Sequence, residues 1–301
     1  MLYTMKRSGR FKNIDQRTII EVTVIGNDRK GVVAEITNFV FAAGGNIENV
    51  KQNVVRGLFG MHLEASFQKV NRQQFDQGLR ELSKKLQMEI KVHYEEPHRL
   101  RNIAILVSKE HDCLEKIMEA KNNGEIHCKI SVIIGSENTL NHIARRFEIP
   151  FETVVYSDNP QESENKILRL IENYNVDLIV LARYMRILSP NFVWRYPNRI
   201  INIHPSLLPA FPGAYAYVQA YERGAKVVGC TAHFVTEDLD QGPIICQESF
   251  KVQPSDTLES IKKTGRALEA TTLLEALKLY LQGMLEVYWG RVHVLSPNDL
   301  P

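Results

Sequence analysis

The sequence predicts an α/β protein with two domains, a small ferredoxin-like unit followed by a Rossmann-like domain with a mostly parallel sheet. The chain has 301 residues, which is long for one compact domain. Its first hundred residues contain strand-type and helix-type segments in the order β-α-β-β-α-β, which is typical of a ferredoxin-like unit. From Asn102 onward, continuous apolar strands alternate with amphipathic helices. That alternation indicates a parallel sheet covered by helices on both faces.

The first domain is predicted over residues 17–95. Its first strand, Thr18–Ile25, is rich in β-branched residues. In the next segment apolar residues recur at helical spacing, until Gly44 and Gly45 end the helix. The remaining elements are predicted as strands at Asn46–Val55 and Leu58–Phe67, a helix at Phe75–Leu86 and a last strand at Met88–Tyr94. The polar segment Glu95–Arg101 contains a proline and is predicted to be a linker.

The second domain is predicted over residues 101–301. Its strands are predicted at residues 103–108, 128–134, 153–155, 176–181, 200–204, 227–235 and 244–249. Its helices are predicted at residues 113–120, 138–147, 162–174 and 257–281. No repeat, coiled coil or low-complexity tract interrupts this pattern.

The composition excludes several classes of partner. Hydrophobic residues make up 44% and charged residues 24%, and 37 basic against 35 acidic residues give a net charge of +2 without a basic stripe. We therefore expect neither nucleic-acid nor membrane binding. The apolar runs are too short to span a bilayer, and no signal-peptide core follows the basic N-terminus. The chain has four cysteines far apart in the sequence: Cys113, Cys128, Cys230 and Cys246. Because this spacing disfavours a disulfide framework, we expect a cytoplasmic protein.

The chemistry-bearing residues are concentrated in two motifs. Asn202 and His204 end an apolar strand and share one of its faces, at the edge where open α/β sheets place ligands. The second motif runs from His233 through the acidic loop that contains Asp240 to Pro243. An amide, an imidazole and a carboxylate suit acyl transfer, because they can stabilise an oxyanion, move a proton and orient water. Each residue alone is more often structural than catalytic, so both interpretations stay open at this point, and His233 is expected to be a packing residue.

These motifs resemble the folate-dependent formyltransferase family. The residues NIHPSLLPAFPG and HFVTEDLDQGPII are similar to the family's signature in content and order. The resemblance implies that Asn202, His204 and Asp240 are catalytic. It also implies that ARYMRILSP, residues 182–190, holds the pterin of a folate, with Met185, Arg186, Ile187 and Leu188 as binding residues.

The first domain resembles an ACT domain, a small-molecule sensor. The similarity lies in TVIGNDRKGVVAEI and in GGNI, and it implies an amino-acid site at Asp28, Gly31 and Asn46. The alternative is that Asp28 and Asn46 are only cap and turn residues. An ACT domain joined to a formyltransferase-type domain resembles the formyltetrahydrofolate deformylases, as do VSKEHDCL and QAYERG. For that family we expect glycine or methionine as the effector, and a homo-oligomer.

The acceptor of the formyl group distinguishes a hydrolase from a transferase. Transferases that act on glycinamide ribonucleotide hold its phosphate with a glycine-rich turn. The corresponding segment Ser108–Leu114 contains no glycine and carries Glu110 and Asp112. We therefore expect water as the acceptor and hydrolysis of 10-formyltetrahydrofolate to formate and tetrahydrofolate, which would supply formate and balance one-carbon pools for purine biosynthesis. His111 of this segment is a candidate substrate-binding residue.

Two alternatives to the hydrolase stay open. One is a formyltransferase with another amine acceptor, and the other is a non-catalytic folate or amino-acid sensor. The resemblance itself has one departure: deformylases usually carry a second histidine directly after the catalytic one, whereas this chain has Pro205. No permanent cofactor is expected, and no metal, because Cys, His and Asp show no ligand spacing.

Overall fold

The computed structural model describes residues 17–94, 96, 99–157 and 159–296. These residues form two compact units divided after Glu96. The basic N-terminal segment, parts of the predicted linker and the last five residues of the second predicted domain lie outside the described residues.

The first unit is a four-stranded antiparallel sheet with two helices. Its strand order is β2-β3-β1-β4, which confirms the ferredoxin-like prediction. The elements are β1 (Thr18–Asn27), α1 (Val32–Ala42), β2 (Asn46–Val55), β3 (Leu58–Phe67), α2 (Arg72–Leu86) and β4 (Glu89–Tyr94).

Alternation along β1 builds the core of this unit. Ile20, Val22 and Val24 are fully buried in one hydrophobic cluster. Ile36 of α1 and Leu79 of α2 belong to the same cluster, which places both helices on that face of the sheet. Burial of these side chains, each contributing about 1.5–3 kcal/mol, is what selects this register, since a one-residue slip would expose all of them.

The second unit is a seven-stranded mixed sheet surrounded by helices. The strand order is β11-β10-β9-β8-β5-β6-β7; the strands from β5 to β9 pair in parallel, and β10 and β11 are antiparallel. The sheet elements are β5 (Asn102–Val107), β6 (Lys129–Gly135), β7 (Phe151–Thr153), β8 (Leu178–Ala182), β9 (Ile200–His204), β10 (Val227–Phe234) and β11 (Ile244–Lys251). The helices are α3 (Asp112–Asn122), α4 (Asn141–Arg146), α5 (Pro160–Asn173), α6 (Pro190–Val193), α7 (Ala216–Glu222) and α8 (Leu258–Leu281), and a hairpin follows with β12 (Leu285–Tyr288) and β13 (Arg291–Val294).

Successive residues of β5 belong to hydrophobic clusters on opposite faces of this sheet. Ile103, Ile105 and Val107 belong to one buried cluster, and Ala104 and Leu106 to the other. A strand buried on both faces has no polar positions, which explains the continuous apolar run in the sequence. The predicted Rossmann-like sheet with helices on both sides is confirmed.

The strand order reverses between β5 and β8. The chain runs from β5 outward to β7, and then returns to place β8 on the other side of β5. Open α/β sheets bind ligands outside the carboxyl ends of the strands at such a point. The segments that follow β5, β8 and β9 therefore converge at this edge.

Five local features differ from the sequence prediction. The helix predicted at 138–147 is confined to Asn141–Arg146, and the strand predicted at 153–155 lies at Phe151–Thr153. Helices α6 and α7 and the hairpin β12–β13 were not predicted. Trp289 and Gly290 both have positive φ (53° and 72°), as a tight hairpin turn requires. Of the two residue types, only glycine indicates a positive φ in the sequence.

All four cysteines are free thiols, and Cys113, Cys128 and Cys230 are buried. None of the helices in the described part of the chain has the length and apolar character needed to cross a bilayer.

Candidate active site

A cavity of about 580 Å³ lies at the reversal point of the large sheet. Its walls come from the segments after β5, β8 and β9, from the loop between β10 and β11, and from α7 and α8. Asn202, His204 and Asp240, the three residues predicted to be catalytic, all line it. The structure therefore brings the two sequence motifs together at one cavity.

Pairing of β9 with β10 sets the spacing of the polar side chains. Asn202 lies opposite His233, and His204 lies opposite Thr231. Alternation along each strand puts Asn202 and His204 on one face of the sheet, with His233 as the cross-strand neighbour of Asn202.

His233 holds the Asn202 side chain in one orientation. The ring is 2% exposed, and its Nδ1 lies 2.9 Å from the carbonyl oxygen of Phe234, to which it must donate. Burial lowers the pKa of His233, against the opposing effects of the Phe234 carbonyl and Asp240, so the ring is neutral and its Nε2 is an acceptor. Asn202 Nδ2 donates to that Nε2 at 3.2 Å. One amide N–H of Asn202 is thereby fixed, and the other remains for a ligand.

His204 lies between two acceptors. The residue is only 5% exposed. Its Nε2 lies 3.0 Å from the carbonyl oxygen of Phe211, and its Nδ1 lies 3.3 Å from Oδ2 of Asp240. A carbonyl oxygen and a carboxyl oxygen of Asp240 thus face the two nitrogens of the ring. The pair can therefore store and move a proton beside the cavity.

Asp240 is held by the backbone of the loop after β9. Its Oδ2 accepts from the N–H of Gly213 at 2.8 Å, and its Oδ1 lies 3.9 Å from Nε2 of His233. The residue has φ +56°, a region that non-glycine residues seldom adopt. Two further residues at the cavity, Arg183 (φ +60°) and Tyr215 (φ +61°), share this strain, which concentrates at functional sites.

The loop after β9 is anchored to the sheet by buried polar side chains. Thr231 Oγ1 donates to the carbonyl oxygen of Ser206 at 2.7 Å and accepts from the N–H of Leu208 at 3.0 Å. Gln247 Nε2 donates to both Thr231 Oγ1 and the carbonyl oxygen of Leu208. These bonds fix the path of the loop that carries Pro205 past His204.

The segment predicted to bind the pterin forms another wall of the cavity. Met185, Arg186, Ile187 and Leu188 all line it. The N–H of Met185 donates to Ser108 Oγ at 3.1 Å, which ties this segment to the end of β5. Met185 and Ile187 are exposed apolar side chains, as a wall that receives a flat heteroaromatic ring requires.

The segment Ser108–Leu114 contributes only partly to the cavity. Glu110 lines it and pairs with Arg266 of α8 at 3.3 Å, whereas Asp112 begins α3 and is not among the lining residues. His111 is also not among them. Its exposed ring lies 3.0 Å from Glu115, one turn further along, so the geometry gives no support to His111 as a substrate-binding residue.

The residues predicted to bind an amino acid lie on loops of the first unit. Gly31, with φ +88°, is the N-cap of α1, and the N–H of Asp28 donates to the carbonyl oxygen of Gly57. Asn46 begins β2, and its Nδ2 donates to Glu48 at 2.8 Å. These contacts are those of cap and turn residues, and an amino-acid site here stays a prediction.

Sequence reasoning missed two sets of residues at the cavity. His233 was expected to be only a packing residue, although it lies in the second motif and contacts Asn202. The other set consists of Arg183, Tyr217 and Glu269, which form a buried polar cluster. One signal for Glu269 was present, because it occupies the buried stripe of α8 together with Ile261 and Gly265. Among the described residues no three His, Cys, Asp or Glu side chains are grouped as ligands for a metal ion.

Comparison with known families gives the class of each unit. Residues 101–277 match the formyl transferase family, and residues 18–93 match the ACT domain family. The second unit is therefore a formyl transferase domain, and the first is an ACT domain.

Named relatives and solved structures narrow the assignment. The formyltetrahydrofolate deformylase of Escherichia coli K12 is 40% identical over 274 residues, which cover 89% of this chain and 95% of that protein. A crystal structure of the formyltetrahydrofolate deformylase of Pseudomonas syringae matches with a TM-score of 0.65 at 28% identity, covering 95% of this chain and 96% of that one. The glycinamide ribonucleotide transformylase 1 of Symbiobacterium toebii matches with a TM-score of 0.63 at 35% identity, covering 68% of this chain and 97% of that one. The chain belongs to the formyltetrahydrofolate deformylase family.

Proposed function

We propose that this protein hydrolyses 10-formyltetrahydrofolate to formate and tetrahydrofolate. The observation that carries the proposal is the convergence of Asn202, His204 and Asp240 on one cavity, next to the exposed apolar segment after β8. The relatives that extend over 89% of the chain are named for this activity, which supports water as the acceptor.

The folate would bind with its pterin against Met185–Leu188. This places the N10 formyl group toward β9, because β8 and β9 are neighbours and Leu181 pairs with Asn202. Asn202 would donate its free N–H to the formyl oxygen as negative charge develops there. His204 would add a second donor after exchanging the Phe211 carbonyl for that oxygen.

Asp240 would orient the attacking water. Water adds to the formyl carbon, the C–N10 bond breaks, N10 takes up a proton and formate leaves. The His204–Asp240 pair supplies the groups that accept the proton of water and return one to N10, because the two side chains are in contact beside the cavity. No metal or redox cofactor takes part in these steps.

A formyltransferase with an amine acceptor is the second candidate, favoured by Pro205 in place of the deformylases' second histidine. The hydrolase is supported better by the segment after β5. It offers no glycine-rich turn of free backbone N–H groups, and its cavity-facing residue is a carboxylate paired with Arg266. A non-catalytic sensor would leave the convergence of Asn202, His204 and Asp240 on one cavity without a purpose.

The ACT unit is proposed to bind glycine or methionine at Asp28, Gly31 and Asn46 and to regulate the enzyme in a homo-oligomer. The support is the ACT match over residues 18–93 together with the loop positions of these three residues. In this proposal the protein works in the cytoplasm, where it releases formate and balances one-carbon pools for purine synthesis.

Hydrolysis is tested by the origin of the new oxygen atom. The protein is incubated with 10-formyltetrahydrofolate in H₂¹⁸O, and the formate is examined by mass spectrometry. The proposal expects one labelled oxygen per formate at initial times. Release of tetrahydrofolate without labelled formate would contradict it, and formate incubated with the protein alone controls for exchange.

A further inference from the structure

Helix α8 carries a buried carboxylate that the proposed mechanism does not use. Glu269 is 0% exposed, and it contacts Arg183 and Tyr217, two residues that line the cavity. Burial raises the pKa of its carboxyl group, an effect that Arg183 and Tyr217 oppose. Its Oε2 is 3.1 Å from Nη1 of Arg183, and its Oε1 accepts from the hydroxyl of Tyr217 at 2.9 Å. Burying a charge costs far more than burying an apolar side chain, and an ion pair seldom repays that cost in full. Such a cluster calls for a purpose other than stability.

Arg183 lies between the end of β8 and the segment proposed to bind the folate. Two residues earlier, Leu181 of β8 pairs with Asn202 of β9. The backbone of Arg183 has φ +60°, a left-handed conformation that an arginine seldom adopts. Arg183 also lines the cavity, although only 17% of its side chain is exposed.

Tyr217 of α7 also lines the cavity, and its hydroxyl contacts Glu269. Burial, reinforced by Glu269, raises the pKa of Tyr217, so the phenol stays protonated and donates. Helix α8 makes room for the ring with Gly265, since a Cβ at this position would lie 2.3 Å from Cζ of Tyr217. The ring therefore packs closely against α8, whereas the Arg183–Glu269 ion pair leaves Nε of Arg183 and Oε2 of Glu269 without a well-aligned hydrogen bond.

A second ion pair also lines the cavity. Arg266 lies on α8 one turn before Glu269 and pairs with Glu110 from the segment after β5. We define the acceptor wall as Glu110, Arg183, Tyr217, Arg266 and Glu269. Its first four residues line the cavity that also holds Asn202, His204 and Asp240. Glu269 does not line the cavity but contacts Arg183 and Tyr217. The proposed folate wall is Met185–Leu188.

We infer that the acceptor wall determines the specificity of the reaction by filling the space that an amine acceptor would need. This inference rests on the proposed function. Water reaches the formyl carbon without displacing any wall residue. An amine with a substituent would have to separate Arg183 from Glu269, which leaves a buried carboxylate unpaired. The protein thus shares its fold with transferases of amine acceptors but admits only the smallest nucleophile.

The test opens the wall and measures where the formyl group goes. In Arg183→Gly/Glu269→Gln both charges are removed together, and glycine suits the positive φ at position 183. Tyr217→Ala opens the wall independently, whereas Tyr217→Phe keeps the ring. Lys263→Ala, on the exposed face of α8, is the control. Each protein receives 10-[¹³C]formyltetrahydrofolate with glycinamide, and NMR measures formate and N-formylglycinamide.

The inference expects wild type, Tyr217→Phe and Lys263→Ala to release formate alone. The two opened variants should raise the share of N-formylglycinamide by about tenfold or more, the scale on which pocket fit discriminates between substrates. Opened variants that fold, as judged by their melting curves, and still release only formate would overturn the inference. So would loss of all turnover, which would make the wall part of the catalytic machinery. A wild type that releases no formate would instead refute the proposed function.

Discussion

At the scale of single residues, Asp240 is the most direct test of the mechanism. Asp240→Asn keeps the shape of the side chain but removes the charge that faces His204 at 3.3 Å. We expect kcat to fall by ~10²–10⁴, the usual effect of losing a positioned acid or base, with the melting temperature little changed. Steady-state formate release measures this. Asp238→Asn, an exposed neighbour on the same loop, should remain near wild type; equal activity of both variants would exclude Asp240 from catalysis.

The lowered pKa of His233 leads us to expect that the stability and activity of the protein decline at acid pH. Because burial lowers its pKa below the usual 6.5, the unfolded chain binds a proton more readily than the folded chain. The contribution of His233 to the free energy of unfolding is therefore complete above pH 6.5 and declines as the pH falls below that value. Protonation would also turn Nε2 into a donor and release Asn202. Activity and melting temperature should both decline in this range.

His233→Gln separates this effect from other titrations. Glutamine can accept from Asn202 with its amide oxygen and does not titrate, so this variant should keep much of the activity and lose less of its stability in acid. His233→Leu should lower kcat at every pH. An identical acid decline in wild type and His233→Gln would assign the effect to another group.

The sequence indicates the proposed catalytic residues more clearly than the residues that hold them in place. Asn202, His204 and Asp240 belong to two motifs with recognisable residue types. The role of His233 depends on the carbonyl of Phe234 and on burial, neither of which a residue type reveals. Arg183 and Glu269 come from distant segments, the end of β8 and the middle of α8, and only the tertiary fold brings them together.

At the scale of elements, the loop between β10 and β11 decides where Asp240 lies. Gly242 closes this loop, and a Cβ there would lie 1.7 Å from the carbonyl oxygen of Phe234. Gly242→Ala must therefore move backbone, so we expect a loss of ~1–3 kcal/mol or more in unfolding free energy, together with reduced kcat. Urea unfolding and formate release measure both quantities. Gln241→Ala, an exposed neighbour, is the control; wild-type values for Gly242→Ala would contradict the described loop.

Elements with strong periodicity could be predicted, and those fixed by tertiary contacts could not. The buried strand β5 shows as a continuous apolar run because both faces are covered. Helix α7 is only seven residues long and depends on Tyr217 packing against α8, so its local sequence carries little helical signal. The shift of β7 has a similar origin: Val154 and Val155 favour a strand, but pairing with β6 involves Phe151–Thr153.

At the scale of the whole molecule, the ACT unit predicts regulation. Glycine or methionine should release heat on titration into the protein, and the protein should sediment as a homo-oligomer. Asp28→Ala should weaken that binding at least several-fold, because Asp28 lies on the loop before α1 that the ACT resemblance implicates. Gln73→Ala, on the exposed face of α2, should not. A monomer that gives no heat with any amino acid would remove the regulatory proposal and leave the catalytic one intact.

The central claim is that the formyl group is transferred to water at Asn202, His204 and Asp240. Its most direct test is the stoichiometry of formate and tetrahydrofolate released from 10-formyltetrahydrofolate, measured with and without glycinamide ribonucleotide. We predict one formate per tetrahydrofolate in both cases and the same rate, because the segment after β5 lacks a glycine-rich turn for the phosphate and the proposed acceptor wall excludes the amine. Turnover that requires the ribonucleotide and yields no formate would contradict the account.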